Sequence, residues 1–276
     1  MAGKTDNRIG EYLRARRELL RPEDVGLQQH GRRRVPGLRR EEMAMLAGIS
    51  NEYYLRLEQG RDQHPSDQVL NGLARALQLD EDAAAYLKEL AQPHERRRRR
   101  PPRLERVSSG VKHLLASWAE TPAYVQGRNL DVLDSNPLAV ALSPIFTPGV
   151  NLVRAAFLDP TVKDLYRDWE PLTAATVAGL RAQNGLDIND PQLQDLIGEL
   201  SLKSDRFAKL WSRHDVRPKS SGSSFLNHPV VGPLDLKYEK LAVGAPGTGQ
   251  LVVIYYADPG SPTADALALL ASTAKA

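Results

Sequence analysis

The sequence predicts two domains, a small all-α bundle followed by an α+β domain with an antiparallel sheet. Helix-like patterns of apolar residues recur five times before residue 93, whereas strand-like runs appear only after residue 106. A stretch rich in arginine and proline separates the two regions. We therefore place the first domain at residues 1–92, the linker at 93–106 and the second domain at 107–276.

Composition excludes some kinds of chemistry and points to one kind of partner. The chain has 276 residues and no cysteine, which excludes disulfides, thiol nucleophiles and cysteine-ligated metal sites. Residues 1–106 carry 22 basic and 17 acidic side chains, a net charge of +5, whereas residues 107–276 carry 15 and 17, a net charge of −2. A basic first domain indicates a polyanionic partner. On charge alone, an arginine-rich solvated surface is the alternative.

The segment from Leu38 to Gly60 predicts two short helices joined by a tight turn. Gly48 lies where the chain must turn, because glycine adopts a positive φ at little cost. Ser50 follows as the predicted N-cap of the second helix. Seven small or apolar residues have the spacing of a helix-turn-helix, a DNA-binding motif: Met43, Ala44, Ala47, Gly48, Ile49, Tyr54 and Leu57.

Three more helices complete the predicted bundle. One precedes the motif, with Asp6 or Asn7 as its N-cap and an end near Pro22. Two follow the motif, and Ser66 and Asp80 are their predicted N-caps. Five short amphipathic helices of this kind predict one compact bundle.

Residues 6–91 resemble the lambda-repressor-like (XRE) family of transcription regulators, through Ala44, Gly48, Ile49, Tyr54 and Leu57. By this resemblance the second motif helix lies in the major groove of double-stranded DNA, with Asn51, Glu52 and Leu55 facing base edges. The chemistry agrees for the first two, because asparagine pairs with adenine and glutamate accepts from cytosine. Glu52 is equally compatible with a carboxylate that only interacts with the helix dipole.

The same resemblance predicts contacts with the DNA backbone. Tyr53 and Arg56 point sideways from the second motif helix, and Arg40 begins the first one. The loop before the first motif helix is longer than in the minimal family pattern. Its arginines could contact phosphate, enter a narrow minor groove or stay solvated. The predicted phosphate contacts are Arg32, Arg33, Arg34, Arg39, Arg40, Tyr53 and Arg56.

The linker contains five consecutive arginines, Arg96–Arg100, followed by Pro101 and Pro102. Like charges repel and prolines prevent helix continuation, so this segment predicts a domain boundary. It could add nonspecific DNA affinity or act as a plain hinge. The longest uncharged stretch of the chain, residues 135–153, contains three prolines, so we expect a cytoplasmic protein with no membrane partner.

For the second domain, the sequence predicts helices and strands in mixed order. A helix is followed by a strand, a turn, a strand and a helix that begins at Asn136 and Pro137. Three mainly helical segments come next, then three strands and a closing helix. The helical segments are 152–158, 162–180 and 191–211, the strands are 222–228, 232–241 and 250–257, and the closing helix is 262–271.

Residues 107–272 resemble the ligand-binding domain of the MmyB-like transcription regulators. The matching stretches are 129–139, 157–160, 198–201, 210–216 and 228–232. The resemblance implies a PAS-like fold that holds an apolar small molecule, and the family suggests a long-chain fatty acid. If a carboxylate ligand binds, Tyr124, Arg213 or His214 could contact its head group.

We therefore expect a homodimeric DNA-binding transcription regulator whose second domain senses a small apolar ligand, with no cofactor. The first alternative is a regulator whose second domain binds a protein partner or only dimerises. The second is an enzyme with an appended DNA-binding domain. His214 and Asp215 are adjacent, which seldom suits a catalytic triad, and no serine lies in a G-x-S-x-G motif. The six histidines lack metal-ligand spacing, so we expect no catalytic residue and no metal site.

Overall fold

The computed structural model describes residues 7–28, 35, 37–62, 64–92, 105–185, 190–218, 220–244 and 248–274. The chain divides into two compact units. The first comprises Met1–Arg100 and Lys209–Arg217, and the second comprises Pro101–Ala208 and Pro218–Ala276. Most of the predicted linker, including Arg96–Arg100, lies outside the described residues. Within the described ranges, no helix combines the length and apolarity needed to span a bilayer.

The first unit is helical, as predicted. Its described residues up to position 92 form five α-helices and one short 3₁₀ helix, Pro22–Val25. Tyr12, Leu13, Tyr54 and Leu57 are among the side chains that are almost completely buried between these helices. The α-helices are α1 (Arg8–Leu19), α2 (Arg40–Ala47), α3 (Asn51–Glu58), α4 (Asp67–Ala76) and α5 (Glu81–Ala91).

Local capping interactions determine where several of these helices begin and end. The side chains of Ser50, Ser66 and Asp80 each accept a hydrogen bond from the backbone N–H three residues later, so these predicted N-caps are confirmed. Gly48 ends α2 with a φ of +71°, in the left-handed region that glycine tolerates best. The tight turn between α2 and α3 is therefore present as predicted.

The beginning of α1 differs from the prediction. Asn7 occupies the N-cap position but makes no capping hydrogen bond with its side chain. Its Nδ2 instead donates to the backbone oxygen of Glu58 at 2.8 Å. Asn7 is therefore the N-cap residue of α1, one of the two predicted alternatives, but its side chain joins α1 to the last residue of α3 instead of forming a capping bond. Asp6, the other predicted cap, lies outside the described residues.

The second unit is an α+β domain with a five-stranded antiparallel sheet, which confirms the predicted fold class. The strand order is β2-β1-β5-β4-β3. The strands are β1 (Ala123–Gln126), β2 (Val132–Ser135), β3 (Ser221–His228), β4 (Gly232–Ala242) and β5 (Leu251–Tyr256). The remaining helices of the chain are α6 (Ser109–Ser117), α7 (Pro137–Leu142), α8 (Leu152–Leu158), α9 (Pro160–Leu165), α10 (Trp169–Asn184), α11 (Pro191–Lys203), α12 (Asp205–Ser212) and α13 (Pro262–Ala274), with a 3₁₀ helix at Pro144–Phe146. The second half of α12, from Lys209, belongs to the first unit.

Helices cover both faces of the central strands in this sheet. On one face, α7 and α13 pack against apolar side chains of β1, β4 and β5, and Tyr124 belongs to this core. On the other face, Leu115 of α6 packs against Ala123, Val125 and Val252. Successive side chains of a strand point to opposite faces, so β1 is buried at every position. This placement makes β1 the most enclosed strand and puts Tyr124 inside the unit.

Gly72 of α4 should resist replacement by alanine, although alanine is the better helix former. A Cβ atom at this position would lie 2.5 Å from the backbone oxygen of Ala47, so α4 would have to move away from α2. We expect Gly72→Ala to destabilise the first unit by about 1–3 kcal/mol. Hydrogen exchange of the α4 amides in the full chain measures this effect.

Gly179 in the middle of α10 provides the matched control, because a Cβ atom there would meet no atom within 4 Å. Gly179→Ala should stabilise its helix by about 0.5–1 kcal/mol. Slower exchange in α4 of the Gly72→Ala variant would show that the two helices do not approach this closely.

Candidate functional site

Helix α3 presents the predicted base-contacting residues on the surface of the first unit. Asn51 and Glu52 are exposed and Leu55 is half-buried. Tyr54 and Leu57 are fully buried. At 3.6 residues per turn, the first three side chains lie in one half of the helix circumference and the two buried ones lie in the other half. The structure therefore leaves the first turn of α3 accessible to a partner.

Tyr53 and Arg56 lie side by side on α3. The guanidinium carbon of Arg56 is 5.4 Å from the ring centroid of Tyr53, and its Nη1 is 3.5 Å from Oε1 of Glu52. Burial raises the pKa of the Tyr53 hydroxyl, which therefore remains a hydrogen-bond donor at neutral pH. The ion pair is exposed and contributes little to stability. Arg56 can therefore exchange Glu52 for another anionic partner at small cost.

A concave pocket of about 730 Å³ lies beside the first turn of α3. It is formed by residues of α1, α2 and α3 and of the chain just before α2. Several arginines share this pocket with two of the predicted base-contacting residues, so the structure brings the two predicted groups together. The lining includes Arg14, Arg17, Arg39, Arg40, Asn51 and Leu55. Arg32, Arg33 and Arg34 lie outside the described residues.

A buried carboxylate lies next to this pocket. The side chain of Glu58 is only 3% exposed, and its two oxygens accept from Nε of Arg17 and Nε of Arg40, each at 2.6 Å. Nη1 of Arg17 also donates to the backbone oxygen of Leu38 at 2.7 Å. Burial raises the pKa of the Glu58 carboxyl, but the hydrogen bonds from Arg17 and Arg40 outweigh it, so the pKa lies below its ordinary value.

The predicted site residues did not include Arg14, Arg17 or Glu58. Two of the three nevertheless leave a signal in the sequence. Arg17 follows Ile9 and Leu13 at intervals of four, so it occupies an inward position of α1. Glu58 directly follows the inward-facing Leu57. A charge at an inward position of a helix indicates a partner of opposite charge.

Tyr124, a predicted contact for a ligand head group, lies in the core of the second unit. Its ring stacks on Phe146 at a centroid distance of 4.4 Å and lies 6.4 Å from the ring of Tyr255. Burial raises the pKa of Tyr124 and that of Tyr255 far above their ordinary value. Both phenols are therefore neutral donors within an apolar, aromatic environment.

Arg213 and His214, the other two predicted head-group residues, belong to the first unit. Nε of Arg213 is 3.0 Å from Asp215, which also accepts from Nη1 of Arg16 at 2.5 Å. The ring of His214 lies 6.4 Å from that of Tyr12. The three predicted head-group residues are thus divided between the two units. In the described part of the chain, no three His, Asp or Glu side chains are grouped so that they could hold a metal ion.

Comparison with known protein families agrees with both units. Residues 107–270 match the model of the MmyB-like transcription regulator ligand binding domain, which covers more than half of the chain. Residues 8–87 match the model of a helix-turn-helix domain. No curated protein matches the chain.

The stability of the first unit should fall at acid pH because of Glu58. Its folded-state pKa lies below the ordinary value of 4.5, so the charged form stabilises the fold. This contribution is complete above the ordinary value and is lost as the pH falls through the lowered one. We expect Glu58→Gln to cost about 1–3 kcal/mol at neutral pH and to weaken the acid dependence, as measured by denaturant unfolding.

Glu41→Gln is the control for this acid dependence, because it removes the same charge from a side chain that is 65% exposed. It should retain the wild-type stability profile. Identical profiles for wild type and Glu58→Gln would show that the buried carboxylate is not linked to folding.

Proposed function

The chain belongs to the family of MmyB-like transcription regulators, and from this premise we propose an XRE-type, sequence-specific regulator that senses a small apolar ligand. A helix-turn-helix domain and a ligand-binding domain in one chain are the architecture of a DNA-binding transcription regulator rather than of an enzyme. The DNA contacts, the ligand class and the dimer are the parts that we propose here.

The observation that carries the DNA contacts is the position of Asn51 and Leu55 on the pocket that Arg39 and Arg40 also line. Side chains in the first turn of a recognition helix reach base edges, while flanking arginines bind phosphate. Asn51 is suited to adenine, since its amide both donates and accepts. We therefore assign direct base contact to Asn51, Glu52 and Leu55, and contact with the DNA backbone to the arginines.

Tyr53 and Arg56 extend the proposed contact with the DNA backbone along one side of α3. The Tyr53 hydroxyl and the Arg56 guanidinium are both donors, as a phosphate oxygen requires. We assign the same role to Arg32, Arg33 and Arg34, which lie in the chain between α1 and α2. The active form that we propose is a homodimer, in which two α3 helices would meet half-sites about one DNA turn apart.

The ligand that we propose for the second unit is a fatty acid. Tyr124, Phe146 and Tyr255 form a buried aromatic cluster there, and the neutral phenol of Tyr124 could donate a hydrogen bond to a carboxylate. Arg213 and His214, the other residues predicted to meet a carboxylate, belong to the first unit, where Arg213 is paired with Asp215. The ligand changes DNA affinity only if it prefers one of two states of the protein.

Asn51→Ala and Arg39→Ala should affect DNA binding in different ways. Loss of Asn51 should cost about 1–3 kcal/mol on the preferred sequence and little on other sequences, because a base contact is removed. Loss of Arg39 should weaken binding to all sequences and reduce the salt slope of log K by about 0.9, because a phosphate contact is removed. Fluorescence anisotropy with specific and mixed-sequence duplexes measures both effects, and equal behaviour of the two variants would contradict the assignment.

Native mass spectrometry of the purified full chain tests the ligand. We expect an adduct with the mass of a lipid, and we expect Tyr124→Phe to bind an added fatty acid about tenfold more weakly because a hydrogen-bond donor is lost. Tyr256→Phe, at the 38% exposed end of β5, is the matched control and should bind like the wild type. A second unit that binds no fatty acid and instead associates only with protein would support the alternative role in partner binding.

A further inference from the structure

Glu58 connects the three helices that surround the proposed DNA-binding pocket. It ends α3, whereas Arg17 belongs to α1 and Arg40 is the first residue of α2. Each of its carboxylate oxygens is used by one arginine, so the carboxylate cannot turn towards one arginine without releasing the other. Arg17 is itself held by the backbone oxygen of Leu38, two residues before Arg40. The position of the carboxylate is therefore fixed by bonds to α1 and α2.

Arg40 differs from Arg17 in its exposure. Its side chain is 48% exposed, compared with 7% for Arg17. Glu58 engages only Nε of Arg40, and within the described residues no acceptor is bonded to its terminal Nη groups. The guanidinium is thus held at Nε, and Arg40 also lines the pocket on which Asn51 and Leu55 lie.

We propose that Glu58 is a positioning residue for DNA: it touches no nucleic acid itself but holds Arg40 so that the outer edge of its guanidinium meets a backbone phosphate. This inference rests on the proposed DNA-binding function. A flexible arginine loses side-chain freedom when it binds phosphate, and a prior bond to Nε removes part of that loss. The planar guanidinium can use both edges at once, which a lysine ammonium cannot do.

The direction of the effect distinguishes positioning from simple electrostatics. A carboxylate near DNA repels phosphate, so its removal should tighten binding if charge alone decides. If Glu58 positions Arg40, its removal should weaken binding, although the protein becomes more positive. Glu41→Gln is the matched charge control, because it removes the same charge from an exposed side chain of the same pocket region.

The experiment measures binding of the full chain to a mixed-sequence DNA duplex at several salt concentrations. We expect Glu58→Gln to bind about tenfold more weakly, with the salt slope of log K reduced by up to about 0.9. Glu41→Gln should bind as tightly as the wild type or more tightly. In an Arg40→Ala background, Glu58→Gln should have little further effect, because Glu58 acts through Arg40.

Arg40→Lys keeps both the positive charge and the buried Arg17–Glu58 pair. This variant therefore tests the positioning role if circular dichroism shows that Glu58→Gln does not fold. We expect it to bind about fivefold more weakly than the wild type, because lysine cannot keep the bond to Glu58 and contact phosphate together. Wild-type affinity in Arg40→Lys, or wild-type or tighter binding by a folded Glu58→Gln, would overturn the positioning role. Absence of DNA binding by the wild type itself would instead contradict the proposed function.

Discussion

The buried ion pairs of Glu58 are the interaction on which the first unit depends. A carboxylate that is almost completely removed from water is tolerated only when its oxygens are satisfied, and here two arginines from two other helices satisfy them. Apolar packing around Tyr54 and Leu57 brings the helices together but does not by itself choose their relative positions. The two arginines add directional bonds, and the surface that α2 and α3 present to a partner follows from them.

Both units bury polar side chains, including Arg17 and Glu58 in the first and Tyr124, Tyr255 and Arg181 in the second. In the first unit, charged groups are buried as pairs. In the core of the second unit, Tyr124 and Tyr255 are buried as neutral phenols, because burial keeps them protonated. The charged pair joins α1 to α3, beside the pocket proposed to bind DNA. The phenols of the second unit lie where the proposed ligand would need a hydrogen-bond donor.

The elements that depend on local interactions could be predicted from the sequence. The caps at Ser50 and Asp80 and the turn at Gly48 each involve residues within four positions, and the strands of the second unit follow from short alternating runs. Asn51, which the family resemblance places at base edges, is exposed in the structure. These features account for the correct fold class of both units.

The features that the sequence did not predict depend on distant parts of the chain. The bond between Arg17 and Glu58 joins positions 41 residues apart, and Asn7 reaches Glu58 across 51 residues. Periodicity shows that Arg17 faces inward but does not show which acidic residue it meets. Similarly, no local pattern showed that Arg213 and His214 belong to the first unit while Tyr124 belongs to the second.

Selection of DNA from a random-sequence library by the full chain tests most directly whether the protein is a sequence-specific regulator. If the first turn of α3 reads base edges, a single motif should be enriched, with adenine at the position that Asn51 contacts. If the active form is a dimer, two inverted copies of the motif should lie about one DNA turn apart. Recovery of sequences with no common motif, at an affinity that depends on salt alone, would contradict sequence-specific recognition by α3.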